Sequence, residues 1–321
     1  MVLTNVGGSH ISSLKNFPFD FYYNVDELSK KFAQVKFILQ HEFQKWAEER
    51  YNKSDTIHVS LENSGSNPNY TIQYDTPYVD NLLKKYGMDK FNLKLNNSTI
   101  FKRIGIGTNG RDPVQGSENN DLKKFLSNEL ESNVEVMLIT QEGIRGPIFE
   151  RLTPMPYASH ITNAASNITN KLKPYIAIHW RMEKGKLDLM SKCAEGLVTY
   201  IRNFSLTSGI TNIYLATDYP LAEYEHNTPQ SNTFEHIHEE HHIAMRILNS
   251  SLNINTWELR GSGIQGIFDK LILTRADYFI SGPENCCRYK STYTTQVKET
   301  REELFKNNGS IKNVIDWWGL Y

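Results

Sequence analysis

From residue 175 to residue 306, the sequence alternates four times between a short apolar segment and a longer amphipathic segment. The apolar segments have the length and composition of strands, and they read YIAIHW, TNIYLATD, INTWEL and DYFISG. The amphipathic segments have helical spacing, and they read LDLMSKCAEGLVTYIRNF, FEHIHEEHHIAMRILN, IQGIFDKLILTRA and YKSTYTTQVKETREELFK. Alternation of this kind predicts an α/β domain, in which helices cover both faces of a parallel sheet.

The sequence before residue 167 is less regular. The stretch NVDELSKKFAQVKFILQHEFQKWAEER has apolar residues at helical spacing and predicts one helix, with Asn24 as a candidate cap. NSTIFKRIGIG and VEVMLIT predict strands, and TNGRDPVQGSENND between them predicts a loop. We therefore expect one domain over residues 1–166 and a second, Rossmann-like domain over residues 167–321.

Composition narrows the class of protein. Hydrophobic residues make up 39% and charged residues 22% of the 321 residues, which is typical of a packed globular protein. The net charge of -1 gives no chain-wide basic field, so no nucleic acid partner is expected. No apolar run approaches the roughly 20 residues of a membrane helix, so no transmembrane segment is expected in this chain. The start, MVLTNVGGSH, lacks the pattern of a signal peptide, so the protein is cytoplasmic or its targeting segment is missing from this chain.

The three cysteines are Cys193, Cys286 and Cys287. They are too few for a disulfide framework, and no C-x-x-C pair indicates zinc. For the adjacent pair we expect two reduced, buried thiols rather than a strained vicinal disulfide, because neighbouring cysteines fit disulfide geometry poorly. The glycosylation pattern N-x-[ST] gives mild support for a secretory history. It occurs at Asn52, Asn69, Asn96, Asn97, Asn167, Asn203, Asn249 and Asn308.

Two short motifs are matched, but their flanking residues do not support the function of either motif. GIGTNG, at 105–110, fits G-x-G-x-x-G, but Arg111, Asp112 and Pro113 follow where a phosphate-binding helix would have to begin, so a loop is predicted. HEEHH, at 238–242, fits the H-E-x-x-H pattern of zinc hydrolases. The segment is rich in His and Glu throughout, and no third ligand follows. A solvated helix face is therefore favoured over a metal site, and no metal is expected.

The stretch PYIAIHWRMEKGK contains the strongest candidate site. Alternate side chains of a strand share a face, so His179 and Arg181 are expected on one face, at the carboxyl end of the first strand. Ligands of parallel sheets bind beyond these ends, and arginine suits a phosphate because it can donate two parallel hydrogen bonds. The alternative for Arg181 is a surface ion pair with Glu183 or Asp188.

Other polar residues follow the later strands. Asp218 ends the second strand, Asp269 lies on the helix before the last strand, and Ser291 and Thr292 open the helix after it. Hydroxyl groups and free N–H groups at a helix start bind anions, and carboxylates suit the donors of guanine or ribose. With Arg181, these residues predict a pocket for a nucleoside diphosphate.

Four segments carry a family resemblance. YIAIHWRMEK, NIYLATDYP, GIFDKLILTRADYFISG and YKSTYTTQVKETREE come in the order and near the spacing of the GDP-fucose-dependent fucosyltransferases. The chain resembles the superfamily of the protein O-fucosyltransferases and alpha-1,6-fucosyltransferases over about residues 167–304. In the first half only FPFDFYYNVDEL is similar.

The resemblance implies a GT-B type fold, in which two Rossmann-like domains face a cleft. Residues 1–166 would form the acceptor-side domain, and residues 167–321 would bind GDP-fucose. Such enzymes invert the anomeric centre, need no metal or other cofactor, transfer fucose to a polypeptide or glycan acceptor, and work in the lumen of the endoplasmic reticulum or Golgi.

Matched residue by residue, the resemblance also implies roles. His179 would contact the nucleoside, Arg181 the β-phosphate, and Asp269 the guanine base. Ser291 and Thr292 would bind the phosphates, and Asp218 would support the site.

The chain departs from the family pattern in two places. NVGGSHISS lacks the Asn and Gln of the family's glycine-rich segment, which leaves the catalytic base unassigned; Glu183 is the candidate, with a plain salt bridge as its alternative role. Met182 stands where core-fucosylating enzymes often have a second arginine, which argues against an N-glycan acceptor. Alternatives to a transferase are an inactive nucleotide-sugar-binding protein of the same fold and a zinc-dependent hydrolase.

Overall fold

The computed structural model describes residues 1–6, 16–49, 56–63, 72–74, 100–106, 108–109, 112–113, 124, 126–142, 155–220, 236–257, 263–282, 285–287 and 292–308. The chain forms two compact units. Unit 1 comprises Met1–Leu3 and Lys36–Met155, and unit 2 comprises Thr4–Val35 and Pro156–Tyr321. The boundary expected between residues 166 and 167 falls within a helix of unit 2 that spans Ser159–Leu172.

Strands and helices are numbered here in chain order. The strands are β1 (Val2–Leu3), β2 (Ile38–Leu39), β3 (Thr56–Asn63), β4 (Ile72–Tyr74), β5 (Ile100–Ile106), β6 (Thr108–Asn109), β7 (Asp112–Pro113), β8 (Val136–Glu142), β9 (Tyr175–Trp180), β10 (Asn212–Thr217), β11 (Ile254–Asn255) and β12 (Tyr278–Ser281). The helices are α1 (Phe19–Tyr22), α2 (Val25–Lys31), α3 (Gln40–Glu49), α4 (Ser159–Leu172), α5 (Met190–Ser208), α6 (Glu239–Ser251), α7 (Gln265–Arg275) and α8 (Thr292–Asn308). Two 3-10 turns, Met182–Lys184 and Leu187–Leu189, follow β9.

Unit 1 contains a four-stranded sheet with the order β4-β5-β3-β8. β3 is parallel to β5 and β8, and β4 is antiparallel to β5. β5 confirms the strand predicted at NSTIFKRIGIG, and β8 confirms the one predicted at VEVMLIT. The predicted loop after β5 contains the short antiparallel pair of β6 and β7, so Thr108 and Asn109 of the GIGTNG segment lie in a strand.

Unit 2 contains a parallel sheet with the order β11-β10-β9-β12. Every residue of β9 is buried, as expected for a central strand with both faces covered. Counted along the chain, these are the third, second, first and fourth strands. The strand order therefore reverses between β9 and β12.

The two faces of this sheet carry separate cores. Ile176, Ile178 and Trp180 of β9 pack with α5 and α6 on one face. The alternate residues Tyr175 and Ala177 pack with α4, α7 and α8 on the other face. Helices on both faces of a parallel sheet confirm the α/β class predicted from the alternating sequence.

The helix predicted after Asn24 is wrong in its length. Asn24 does cap α2, because its side-chain oxygen accepts the Glu27 N–H at 3.1 Å. The helix ends at Lys31, and the chain continues into β2 and α3 of unit 1. Leu28 is buried within unit 2, whereas Ile38 pairs with Val2 in unit 1. Apolar residues that share one helical face by spacing therefore belong to two different units.

Among the described residues, none of the helices combines the length and the apolar character that crossing a lipid bilayer requires.

Candidate active site

The candidate site lies in unit 2, at the carboxyl ends of β9 and β12. The helices that follow these neighbouring strands, α5 and α8, pack on opposite faces of the sheet, and such a reversal leaves a crevice where ligands of α/β proteins bind. The two strands are joined beyond their last ladder pair, where Gly282 N–H donates to the His179 carbonyl at 3.3 Å.

Arg181 is held by two carboxylates. Its Nη2 lies 3.1 Å from Glu183 Oε2, and its Nε lies 3.8 Å from Asp218 Oδ2. The side chain is 22% exposed, and its buried Nε makes no hydrogen bond to the described residues. The ion pair with Glu183 that the sequence left open is therefore present. It fixes a cation at the end of β9, with part of the side chain exposed.

Asp218 also fixes the backbone of the turn after β9. Its Oδ1 accepts the Met182 N–H at 2.7 Å, and its Oδ2 accepts the Glu183 N–H at 3.2 Å. These are the free donors at the start of a 3-10 turn, which the turn itself cannot satisfy. Asp218 thus acts as a cap supplied by the neighbouring strand.

Burial makes the ionised form of the Asp218 carboxyl costly. Burial raises the pKa of Asp218 to about 6, although the two backbone hydrogen bonds and the Arg181 charge act in the opposite direction. Above that pH the carboxylate is ionised and balances the arginine.

His179 is a neutral, buried group beside this cation. Burial and then the Arg181 charge lower the pKa of His179 to about 4. Its Nδ1 lies 2.9 Å from Thr294 Oγ1, and its ring packs against the Tyr293 ring at 4.9 Å between centroids. A neutral imidazole held in this way can hydrogen-bond a nucleoside but adds no positive charge for a phosphate.

Asp269 lies one turn into α7 and is 8% exposed. Its Oδ1 accepts hydrogen bonds from the Tyr214 hydroxyl at 2.6 Å and from Gln265 Nε2 at 2.8 Å. Burial raises the pKa of Asp269 to about 7, and these two hydrogen bonds act against the rise. A carboxylate with one bound oxygen can still accept donors from a ligand through the other.

Tyr293 connects the two ends of the site. Its hydroxyl donates to the Gly266 carbonyl in the first turn of α7 at 2.9 Å. Burial and then the Asp269 charge raise the pKa of Tyr293. Tyr293 therefore connects His179 at the end of β9 to the first turn of α7, the helix that carries Asp269.

The hydroxyl pair predicted at the phosphates is only partly described. Ser291 lies outside the described residues. Thr292 is the first residue of α8, and only its backbone is described. The predicted helix start after the last strand is thus present, but the roles of the two hydroxyl groups remain predictions.

The cysteine prediction was wrong for Cys286 and is confirmed for Cys287. Cys193 of α5 forms a disulfide with Cys286, and Cys287 is a buried free thiol whose Sγ donates to the Gly282 carbonyl at 2.9 Å. The bond joins residues 93 positions apart, which spacing along the chain cannot reveal. Cys286 also lies against the site, because its carbonyl accepts the Trp180 Nε1–H at 2.8 Å.

The HEEHH segment has structural contacts. His238 is the N-cap of α6, and its backbone N–H donates to Nδ1 of the buried His241 at 3.1 Å. His242 Nδ1 lies 2.6 Å from the Tyr219 hydroxyl. Within the described residues, no group of three or more His, Cys, Asp or Glu side chains is arranged to hold a metal ion.

Sequence reasoning missed Tyr214, Gln265 and Thr294. Gln265 precedes Asp269 by four residues on a predicted helix, a spacing that could have identified it. Thr294 follows the predicted hydroxyl pair by two residues. Tyr214 has the sequence pattern of an ordinary core residue of a strand, so no pattern pointed to it.

Comparisons with known proteins gave matches to solved structures. No family model and no curated protein matches the chain. POFUT1 with GDP is 15% identical, with a TM-score of 0.46 and coverage of 95% of this chain and 85% of that chain. POFUT1 with GDP-fucose is 14% identical, with a TM-score of 0.47 and coverage of 100% and 89%. POFUT1 without ligand is 15% identical, with a TM-score of 0.47 and coverage of 99% and 88%.

These likenesses agree with the resemblance that the sequence indicated. At such identities and TM-scores they assign no role to any residue of this chain.

Proposed function

We propose that this protein is an inverting, metal-independent fucosyltransferase, which moves fucose from GDP-fucose to a hydroxyl group of a polypeptide or glycan. The observation that carries the proposal is Arg181, a cation fixed by Asp218 and Glu183 where the strand order reverses. Its position suits a diphosphate. Asp269, on the helix to which Tyr293 connects His179, suits a guanine base.

In the proposed reaction, the acceptor oxygen attacks the anomeric carbon of fucose as the bond to the β-phosphate oxygen breaks. The bonding electron pair leaves with GDP, and the acceptor proton passes to a base. Negative charge grows on the leaving oxygen in the transition state, where a fixed cation stabilises it most. Arg181 would supply this charge without a metal ion. Direct displacement from the opposite side inverts the anomeric centre.

Glu183 is the base that we propose. It lies two residues beyond Arg181, and one of its oxygens accepts the Arg181 Nη2–H at 3.1 Å. Glu183→Gln keeps a hydrogen-bond acceptor for the arginine but is a much weaker base. We expect this variant to bind GDP like the wild type and to lose at least about 10²-fold in transfer rate. Loss of GDP binding in proportion to rate would assign Glu183 a purely structural role.

On the nucleotide, His179 would contact the nucleoside and Asp269 the guanine donors. The α8 start, with Ser291 and Thr292, would bind the phosphates through hydroxyl and backbone N–H groups. This arrangement needs no metal, cofactor or nucleic acid.

We further propose a GT-B type architecture of two Rossmann-like domains. Residues 167–321 would bind the donor, and residues 1–166 would form the acceptor-side domain. The strand order of unit 2 matches the first four strands of a doubly wound sheet, which supports the first assignment.

The lumen of the endoplasmic reticulum or Golgi is the proposed location. The Cys193–Cys286 disulfide supports it, because such bonds persist in oxidising compartments. The eight glycosylation patterns in the sequence point the same way.

The experiment that tests the proposal follows release of GDP from GDP-fucose in EDTA, with peptide and glycan acceptors, and determines the anomeric configuration of the product by NMR. Inverted product in EDTA supports the proposal. GDP binding with no release for any acceptor would instead identify an inactive nucleotide-sugar-binding protein. Activity that EDTA abolishes and zinc or manganese restores would contradict metal independence.

A further inference from the structure

The two oxygens of Asp269 have different surroundings. Oδ1 accepts both of the hydrogen bonds to this carboxylate, from Tyr214 and from Gln265. Oδ2 accepts none from the residues that the structure describes. Two donors on one oxygen fix the plane of the carboxylate and leave one acceptor for a ligand.

Tyr214 is an unusual residue at its position. It lies in the middle of β10, is fully buried, and packs in an apolar core with Ala177, Phe268 and Phe279. Phenylalanine would fill the same space without bringing a polar group into that core. Tyrosine differs from phenylalanine by its hydroxyl group, and the Tyr214 hydroxyl oxygen lies 2.6 Å from Asp269 Oδ1.

Gln265 supports the same oxygen from the helix. It precedes Asp269 by one turn, and its Nε2 donates to Asp269 Oδ1 and to the Trp257 carbonyl, each at 2.8 Å. The carboxylate is thereby tied to the strand below it and to the segment after β11.

We infer that Tyr214 and Gln265 are positioning residues, which set the preference of this site for guanine by aiming Asp269 Oδ2. The inference rests on the proposed function, in which Asp269 binds the base. Guanine presents N1–H and 2-amino donors to such an acceptor, whereas adenine presents a bare N1 that a carboxylate repels. A carboxylate free to rotate would discriminate less between the two bases.

The two donors also keep the carboxylate ionised. Burial raises the pKa of Asp269, and the Tyr214 and Gln265 hydrogen bonds oppose that rise. Removal of either donor therefore moves the pKa upward, so less of the acceptor form is present near neutral pH.

The test compares GDP and ADP binding by calorimetry, from about pH 6 to about pH 9, in wild type, Tyr214→Phe and Gln265→Leu. Asp269→Asn is included so that the pH dependence caused by ionisation of the GDP phosphate, which is the same for every variant, can be subtracted. Tyr175→Phe is the matched control. Its hydroxyl donates to the Ile272 carbonyl at 2.6 Å in the same core and not to Asp269.

We expect Tyr214→Phe to weaken GDP binding about tenfold near pH 7, to leave ADP binding unchanged, and to recover GDP affinity at higher pH. Gln265→Leu should act in the same direction, and it keeps the inference testable if Tyr214→Phe does not fold. Tyr175→Phe should lower the unfolding temperature without moving the pH profile.

An unchanged pH midpoint and unchanged GDP preference in both variants would overturn the inference while leaving the proposed function intact. Failure of the wild type to prefer GDP at any pH would overturn the proposed function, and the inference with it.

Discussion

At the scale of single residues, the site depends on the charge balance around Arg181. The Arg181 side chain is partly exposed, and Glu183 and Asp218 restrict the movement of its guanidinium. A preorganised charge of this kind costs little reorganisation during the reaction, which is why it contributes more than a mobile surface cation.

Replacement of Arg181 by alanine should lower kcat at least about 10²-fold, because the leaving phosphate loses its stabilising charge. Arg181→Lys is the matched variant, since it keeps the charge but not the planar pair of donors, and it should retain part of the activity. Both are measured as rates of GDP release at saturating GDP-fucose. Wild-type kcat in Arg181→Ala would remove this residue from the mechanism.

Because the pKa of Asp218 is raised, we expect pH to have opposite effects on activity and on stability. Activity should rise with pH through about 6, because only the ionised carboxylate balances Arg181 and caps the turn at full strength. Since burial places the pKa of Asp218 above its usual value, the folded protein holds this proton more tightly than the unfolded chain does. The contribution of this residue to the free energy of unfolding should therefore fall as pH rises from about 4 to about 6.

The measurement is a pH series of rates and of denaturant unfolding for wild type and Asp218→Asn. The difference between the two chains isolates this carboxylate. A rate profile of the variant that retains the wild-type midpoint near pH 6 would assign that midpoint to another group.

At the scale of elements, the disulfide connects a helix to the site. Cys193 lies on α5, and the Asn285 carbonyl beside Cys286 accepts the Lys186 N–H at 2.7 Å. Gly185 packs so closely here that a Cβ atom would lie 2.7 Å from the Cys286 carbonyl oxygen. The chain that follows Arg181 is therefore held against a segment that the disulfide anchors.

Loss of this bond should lower stability. Because it closes a loop of 93 residues, a chain-entropy argument gives about 4–5 kcal/mol for Cys193→Ser/Cys286→Ser, with lower values common in practice. Denaturant unfolding with and without reductant measures it, and Cys287→Ser is the control that keeps the bond and a donor for Gly282. Equal unfolding midpoints for the oxidised wild type and the double variant would contradict this prediction.

At the scale of the whole molecule, the sequence predicted the unit with regular alternation better than the other. The strands and helices after residue 175 could be predicted from the spacing of apolar residues and from the lengths of the segments. The residues that this pattern places at strand ends lie at the candidate site. Arg181, Glu183 and Asp218 meet because parallel strands end at a common edge.

The remaining features depend on contacts between distant parts of the chain. Periodicity could not show that the segment after Asn24 enters two units, because both cores use apolar residues at compatible spacing. The Cys193–Cys286 pairing and the hydroxyl of Tyr214 on Asp269 likewise arise from folding of distant residues onto each other. HEEHH matches the zinc hydrolase pattern because the segment is rich in His and Glu. Its histidines serve as caps and packing groups.

The most direct test of the central claim is calorimetric titration of the protein with GDP, ADP and UDP in EDTA. We expect micromolar binding of GDP alone, with affinity lost in Asp269→Ala and weakened in Arg181→Ala. Equal binding of the three nucleotides, or binding of none by a folded protein, would contradict a GDP site at this sheet edge.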